Sequence, residues 1–137
     1  MLVCLPDLLT PDELAALRHG LAAAPWGAQL SAGPQARQVK HNLQVPEDAP
    51  VLRELRLTVM RALNRSALLM SAALPYKIVP PNFNRYTVEH PSYGVHTDSS
   101  LRWLPDGSCL RTDVSATLFL SDPVDYEGGE LSIQDTY

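Results

Sequence analysis

At Pro75 the sequence changes texture, and that change limits the architectures open to the chain. Before it, apolar residues recur at helical spacing. After it come short β-type runs at 76–79, 83–88, 93–97, 115–120 and 131–133. They are divided by Pro80-Pro81, Glu89-His90-Pro91, Pro105-Asp106-Gly107 and Glu127-Gly128-Gly129, which are turn chemistry. Helices followed by closely spaced short strands predict an α+β chain whose strands curl into a sandwich or jelly roll. With 137 residues there is room for one core and not comfortably for two. The reading divides at the texture change, into a helical region of residues 1–75 and a β region of residues 76–137.

Thr10-Pro11-Asp12-Glu13 reads as a helix start. Threonine caps, proline takes the first helical position, and Glu13 closes a capping box three residues on. Leu14, Leu17 and Leu21 follow on one stripe, which Gly20 or the Ala22 to Pro25 run brings to an end. A second helix is expected from Ala49 to Asn64, with Asp48 as its N-cap and Leu52, Leu55, Val59, Met60 and Leu63 near helical spacing. Ala67 to Leu74 predicts a short third helix on the same core, stopped by Pro75. Between the first two helices, Trp26-Gly27, Ser31-Ala32-Gly33-Pro34 and Val45-Pro46 are loop signals, and Arg37-Gln38-Val39-Lys40 is a candidate edge strand. Lys40-His41-Asn42 is polar enough to line a pocket. His19 and His41 read as solvent-facing, since neither has a partner ligand nearby.

The formal net charge of −4 argues against a nucleic-acid surface, which needs clustered lysine and arginine. Cys4 and Cys109 stand too far apart in sequence to form a metal or disulfide framework, and read as free buried thiols in a reducing compartment. The apolar start Met1-Leu2-Val3-Cys4-Leu5 lacks a basic n-region, and Pro6-Asp7 ends it before a signal-peptide core forms. No segment reaches the length of a membrane span. The expectation is a cytoplasmic protein with neither a membrane nor a nucleic acid as partner.

The chemistry concentrates in Tyr93-Gly94-Val95-His96-Thr97-Asp98. On an extended segment residues two apart face the same side, with Cα atoms roughly 6.5 Å apart. His96 and Asp98 can therefore grip one metal ion and supply two thirds of the 2-His-1-carboxylate set that holds non-haem Fe(II) with open positions. Chance alone produces about 0.3 such pairs in a chain with four histidines, so the neighbourhood has to carry the assignment.

That neighbourhood does. Phe83-Asn84-Arg85-Tyr86, the stretch from Tyr93 to Asp98, the run from Arg111 to Pro123, and Tyr126-Glu127-Gly128-Gly129-Glu130-Leu131 resemble successive motifs of the bacterial PKHD-type hydroxylases. These form a prolyl-4-hydroxylase-like branch of the Fe(II)/2-oxoglutarate dioxygenases. The amino-terminal Leu9-Thr10-Pro11-Asp12-Glu13-Leu14 and Ala72-Ala73-Leu74-Pro75 extend the likeness over nearly the whole chain. The resemblance implies helices packed outside a double-stranded β-helix, iron held by His96 and Asp98, 2-oxoglutarate as cosubstrate and L-ascorbate as reductant. The organic substrate would be a small molecule or a peptidyl residue. No catalytic residue beyond the metal ligands is implied.

Tyr86 stands where related oxygenases bond the distal carboxylate of 2-oxoglutarate; the plain alternative is a strand tyrosine with its hydroxyl at the surface. Tyr93 and Asn84 are placed at the cavity by the same likeness. Arg85 is either a supporting group or an outward strand charge, and Arg111 with Asp113 reads as a structural pair. Thr117 and Phe119 alternate with Leu118 and Leu120, one set toward the cavity and the other outward.

The family pattern continues with a distal histidine and a carboxylate-binding arginine. All four histidines here lie at or before residue 96. His90 has the right parity to substitute, but Pro91 and Ser92 interrupt its strand. The expectation is a truncated dioxygenase whose β-helix, begun at 76–137, is incomplete and which is inactive alone. Two rival readings stand beside it. One is a jelly-roll binding or interaction module with a vestigial metal pair, whose exposed strand edges could support a homo-oligomer; the other is a metal-dependent hydrolase, which would want more carboxylates or histidines near the pair.

Overall fold

The structure is a computed structural model and describes residues 2–28, 36, 38–104 and 106–134. The turn expected at 31–34, Arg37 of the expected edge strand and Pro105 of the expected turn lie outside these. Helix α1 runs Pro11–Ala22 and begins with the expected capping box. The Thr10 hydroxyl accepts the Glu13 N–H at 3.2 Å while the Glu13 carboxylate accepts the Thr10 N–H at 2.9 Å. Leu17 and Leu21 are its buried residues.

Helix α2, Leu52–Arg65, starts later than the sequence predicts, and Asp48 does not cap it. The cause is Pro50: the residue before a proline is driven out of the helical region, so 46–49 turns instead, with the Ala49 N–H donating to Pro46 O at 3.1 Å. Val51 occupies the cap position and makes no side-chain cap bond. Helix α3, Ala67–Ala73, is capped by the Ser66 hydroxyl and ends at Leu74 in the left-handed region, with φ of 44°. None of its side chains is buried, so it lies off the core on which the sequence placed it.

That core joins Leu17, Leu21, Ala24, Val45, Ala49, Leu52, Leu55, Val59 and Phe83, with Leu118 and Leu120 packed on it from the far end of the chain. Thr117 and Phe119 are exposed, which settles the alternation: the leucines face the helices. Arg18 Nε pins this segment by donating to Leu120 O at 2.6 Å.

Among the described residues the strands form three two-stranded antiparallel ladders and no closed barrel. β1 (Lys40–His41) pairs β4 (Ser92–Tyr93), β2 (Leu43–Gln44) pairs β3 (Asn84–Arg85), and β5 (Leu101–Trp103) pairs β6 (Cys109–Arg111). The class is α+β. One extended stretch, 40–44, thus pairs at one end with 92–93 and at the other with 84–85, tying the helical region to the β region. The runs at 76–79, 115–120 and 131–133 form no ladder among the described residues, because a strand needs a neighbour to bond and not only β-type side chains. Gly128 and Gly129 adopt φ of 76° and 74°, the turn expected there. Cys4 and Cys109 are free, but exposed rather than buried. No described helix is long and apolar enough to cross a membrane.

Arg65, in the last turn of α2, donates to Glu13 Oε1 at 2.6 Å and to Leu8 O at 3.2 Å, joining that turn to the start of α1. This hydrogen bond first, and the Thr10 N–H second, hold the Glu13 carboxyl well below its ordinary 4.5, at about 2. A depressed folded-state value means that the charged form stabilises the fold. Its contribution is present above about pH 4.5 and disappears as the pH falls through about 2. The expected result is a urea midpoint that declines between these limits, with a shallower decline in Glu13→Gln; identical slopes would remove the pair from the acid response.

Candidate metal centre

The floor of the site is the stretch 40–44. Successive side chains of an extended chain face opposite sides, and here Lys40, Asn42 and Gln44 are buried while His41 is exposed. The register puts Tyr93 opposite Lys40 and Asn84 opposite Gln44, so these five share a face. Asn42 Nδ2 donates to Asn84 Oδ1 at 3.3 Å across it.

Arg85 takes the other face. Its guanidinium lies 4.1 Å from the Trp26 ring centroid and Nη2 donates to Leu21 O at 3.3 Å, which makes it a clamp on the helical layer and not an outward charge. Arg56 anchors the approach to β3, with two 2.8 Å bonds to Glu47, one of 3.0 Å to Pro81 O and one of 3.0 Å to Asn82 Oδ1.

Beyond β4 the chain is held close by Gly94, whose N–H donates to Val39 O at 2.8 Å. A Cβ at Gly94 would stand 2.9 Å from Val39 Cβ, so any larger residue pushes the segment away. The Gly94 carbonyl also sets the histidine: His96 Nδ1 lies 2.7 Å from it. A carbonyl only accepts, so Nδ1 carries the proton and the neutral ring offers its lone pair at Nε2. The Tyr93 ring stacks on the imidazole, centroids 3.7 Å apart and planes 12° from parallel.

In that rotamer Nε2 stands 3.3 Å from Asp98 Oδ1. Two ligand atoms each about 2.1 Å from one ion and about 90° apart stand about 3 Å from each other, so the pair fits a shared divalent cation. The His96 side chain is 23% exposed and that of Asp98 63%, which leaves the carboxylate open toward solvent. The second Asp98 oxygen accepts from the Ser115 hydroxyl at 2.5 Å. Nothing in the sequence marks Ser115, since a serine 17 residues away carries no local signal.

Among the described residues no group of three or more His, Cys, Asp or Glu side chains converges. His19 and His41 are exposed, and His90 closes a tight turn with Thr87 through paired bonds of 3.0 and 3.1 Å. Arg111 and Asp113 pair at 2.7 Å, as expected, and both are largely exposed. Tyr86 is 50% exposed. It nonetheless lies near enough to act on Tyr93, whose hydroxyl is pushed up by burial first, then by the Asp98 charge and by Tyr86. Tyr86 follows directly on β3, one residue past the ladder that ends at Arg85.

No family model matches the sequence. Individual proteins do. A PKHD-type hydroxylase of Nitrosomonas europaea is 56% identical over 139 aligned residues, one of Paracoccus denitrificans 52% over 139, and one of an Azoarcus species 49% over 138. Each alignment takes in 100% of this chain and 61% of the relative, so the chain spans about three fifths of the length of the curated relatives it matches. The alignments cover the helical region, the polar face and the His96–Asp98 pair alike, and over its whole length the chain is similar to the PKHD-type hydroxylases.

Proposed function

We propose that the chain carries a portion of the iron centre of an Fe(II)- and 2-oxoglutarate-dependent dioxygenase, with His96 Nε2 and Asp98 Oδ1 as two of its protein ligands. The observation that supports this most directly is the 3.3 Å approach of His96 Nε2 to Asp98 Oδ1, with Nδ1 engaged by the Gly94 carbonyl so that the neutral ring turns its lone pair toward the carboxylate. Held there by His96 and Asp98 with 2-oxoglutarate, and kept ferrous by ascorbate, iron would supply the O₂ activation that couples conversion of 2-oxoglutarate to succinate and CO₂ with hydroxylation of a C–H bond in a small-molecule or peptidyl substrate.

The chain's own residues supply geometry and charge. Gly94 O and the Tyr93 ring hold the imidazole, Ser115 orients the carboxylate, and the Asp98 charge offsets some of the cation's. The Tyr86 hydroxyl, just past β3, is the group assigned to the distal carboxylate of 2-oxoglutarate. The strands between 84 and 111, with the stretch 40–44 that pairs with two of them, belong on this reading to a double-stranded β-helix on which the helices of 1–75 pack, and the two exposed thiols suit the reducing cytoplasm.

With two ligands from one segment, the 137-residue chain alone is expected to bind Co(II), a spectroscopic stand-in for Fe(II), weakly and in one-to-one ratio, visible as new d–d absorption. Supplied with Fe(II), ascorbate and air, it is expected to release no succinate from 2-oxoglutarate. Succinate above the metal-only background would show that the site works as it stands, and absence of any Co(II) spectrum would remove the metal assignment.

A further inference from the structure

We propose that Lys40 and Asn42 form a binding site for an organic carboxylate that also carries an N–H donor, as an N-acyl amino acid or a peptide C-terminus does. Lysine is almost never buried without a partner of opposite charge, yet Lys40 is 6% exposed and among the described residues no carboxylate pairs with it. Its ammonium makes a long 3.4 Å bond to Gln44 Oε1 and lies 5.3 Å from the Tyr93 ring centroid. Gln44 is four residues on along the same face, so the lysine side chain that bonds it extends forward along the strand, on the side of residue 42. There Asn42, 2% exposed, holds an amide oxygen with no hydrogen-bond partner. Buried acceptors are rarely left so.

The two unfilled groups ask for opposite things from one ligand. The ammonium needs an anion, and the amide oxygen needs an N–H or O–H. A water molecule answers the second without the first. 2-Oxoglutarate, fully ionised, has acceptors only and answers the first without the second. A carboxylate with a nearby amide N–H answers both. One ring links the site to the candidate metal centre, because the Tyr93 ring that the ammonium faces is the ring stacked on His96. That this ligand is the molecule hydroxylated rests on the dioxygenase reading; the binding site itself does not.

The test is calorimetric and NMR titration of the 137-residue chain with N-acetylglycine, acetate and 2-oxoglutarate, each with and without Co(II). N-Acetylglycine is expected to bind one-to-one without metal, to shift the Asn42 side-chain amide and Lys40 side-chain resonances of the unaltered chain, and to bind at least about tenfold more tightly than acetate. Lys40→Met is expected to weaken it at least about tenfold, Lys40→Arg to restore most of it, and Asn42→Leu to bring its affinity down to that of acetate. No saturable binding of N-acetylglycine, or binding that leaves both resonances unmoved, would overturn the proposal. Equal affinity for acetate would overturn the donor requirement, and tight binding of 2-oxoglutarate lost in Lys40→Met would reassign the site to the cosubstrate. Co(II) affinity unchanged in Lys40→Met separates this outcome from failure of the metal reading.

Discussion

Leu17→Ala is expected to cost the chain about 2–5 kcal/mol of folding stability. Leu17 is 1% exposed, among the most deeply buried side chains described, and it sits where α1 meets α2 and Phe83. Truncation removes its transfer energy and leaves a cavity that its anchored neighbours close only in part: α1 is held at its start by the Thr10 box and Arg65, and Arg18 ties it to Leu120 O. Domains of this size retain only about 5–15 kcal/mol in total, so the loss takes a large share. The effect reaches the site, because the same core carries Phe83, immediately before Asn84 and the polar face. Leu68→Ala, on the exposed side of α3, is expected to change stability by no more than about 0.5 kcal/mol. Urea unfolding of both variants, with the midpoint shifted and the slope kept for Leu17→Ala alone, is the comparison; similar midpoints would mean that the helices do not share one core.

What the sequence shows of this molecule is what short-range chemistry controls. The Thr10 box, the stripe through Leu17 and Leu21, the short helix Ala67–Ala73 and the Gly128–Gly129 turn are each decided within a few residues, and each is readable. The start of α2 misleads because Asp48 looks like a cap while Pro50, two positions later, forbids Ala49 a helical conformation. Strands are readable as runs but not as ladders. Nothing in 40–44 states that it pairs at one end with 92–93 and at the other with 84–85, and nothing in 115–120 states that its leucines pack on helices. The same limit governs the site. Period two places His96 and Asp98 on one side, but the protonated Nδ1, the Tyr93 stack and the Ser115 bond depend on where Gly94 brings the backbone against Val39.

His96→Ala is expected to abolish Co(II) binding by the chain within the accessible concentration range, a loss above the about 10–100-fold that removing a supporting group costs. With two ligands converging among the described residues, losing one leaves a single exposed carboxylate, which holds a divalent ion no better than any surface aspartate. Gly94→Ala tests the layer beneath. Its Cβ would meet Val39 Cβ at 2.9 Å, so the backbone shifts, and with it the carbonyl 2.7 Å from Nδ1. Affinity is expected to fall about tenfold although both ligands remain. The circular dichroism spectrum is expected to stay unchanged, since the contact lies outside the helical core. The order wild type, Gly94→Ala, His96→Ala is the signature of an imidazole whose usefulness is set by the carbonyl behind it. Equal binding by all three would place the metal elsewhere and leave the 3.3 Å approach as an ordinary histidine–aspartate contact.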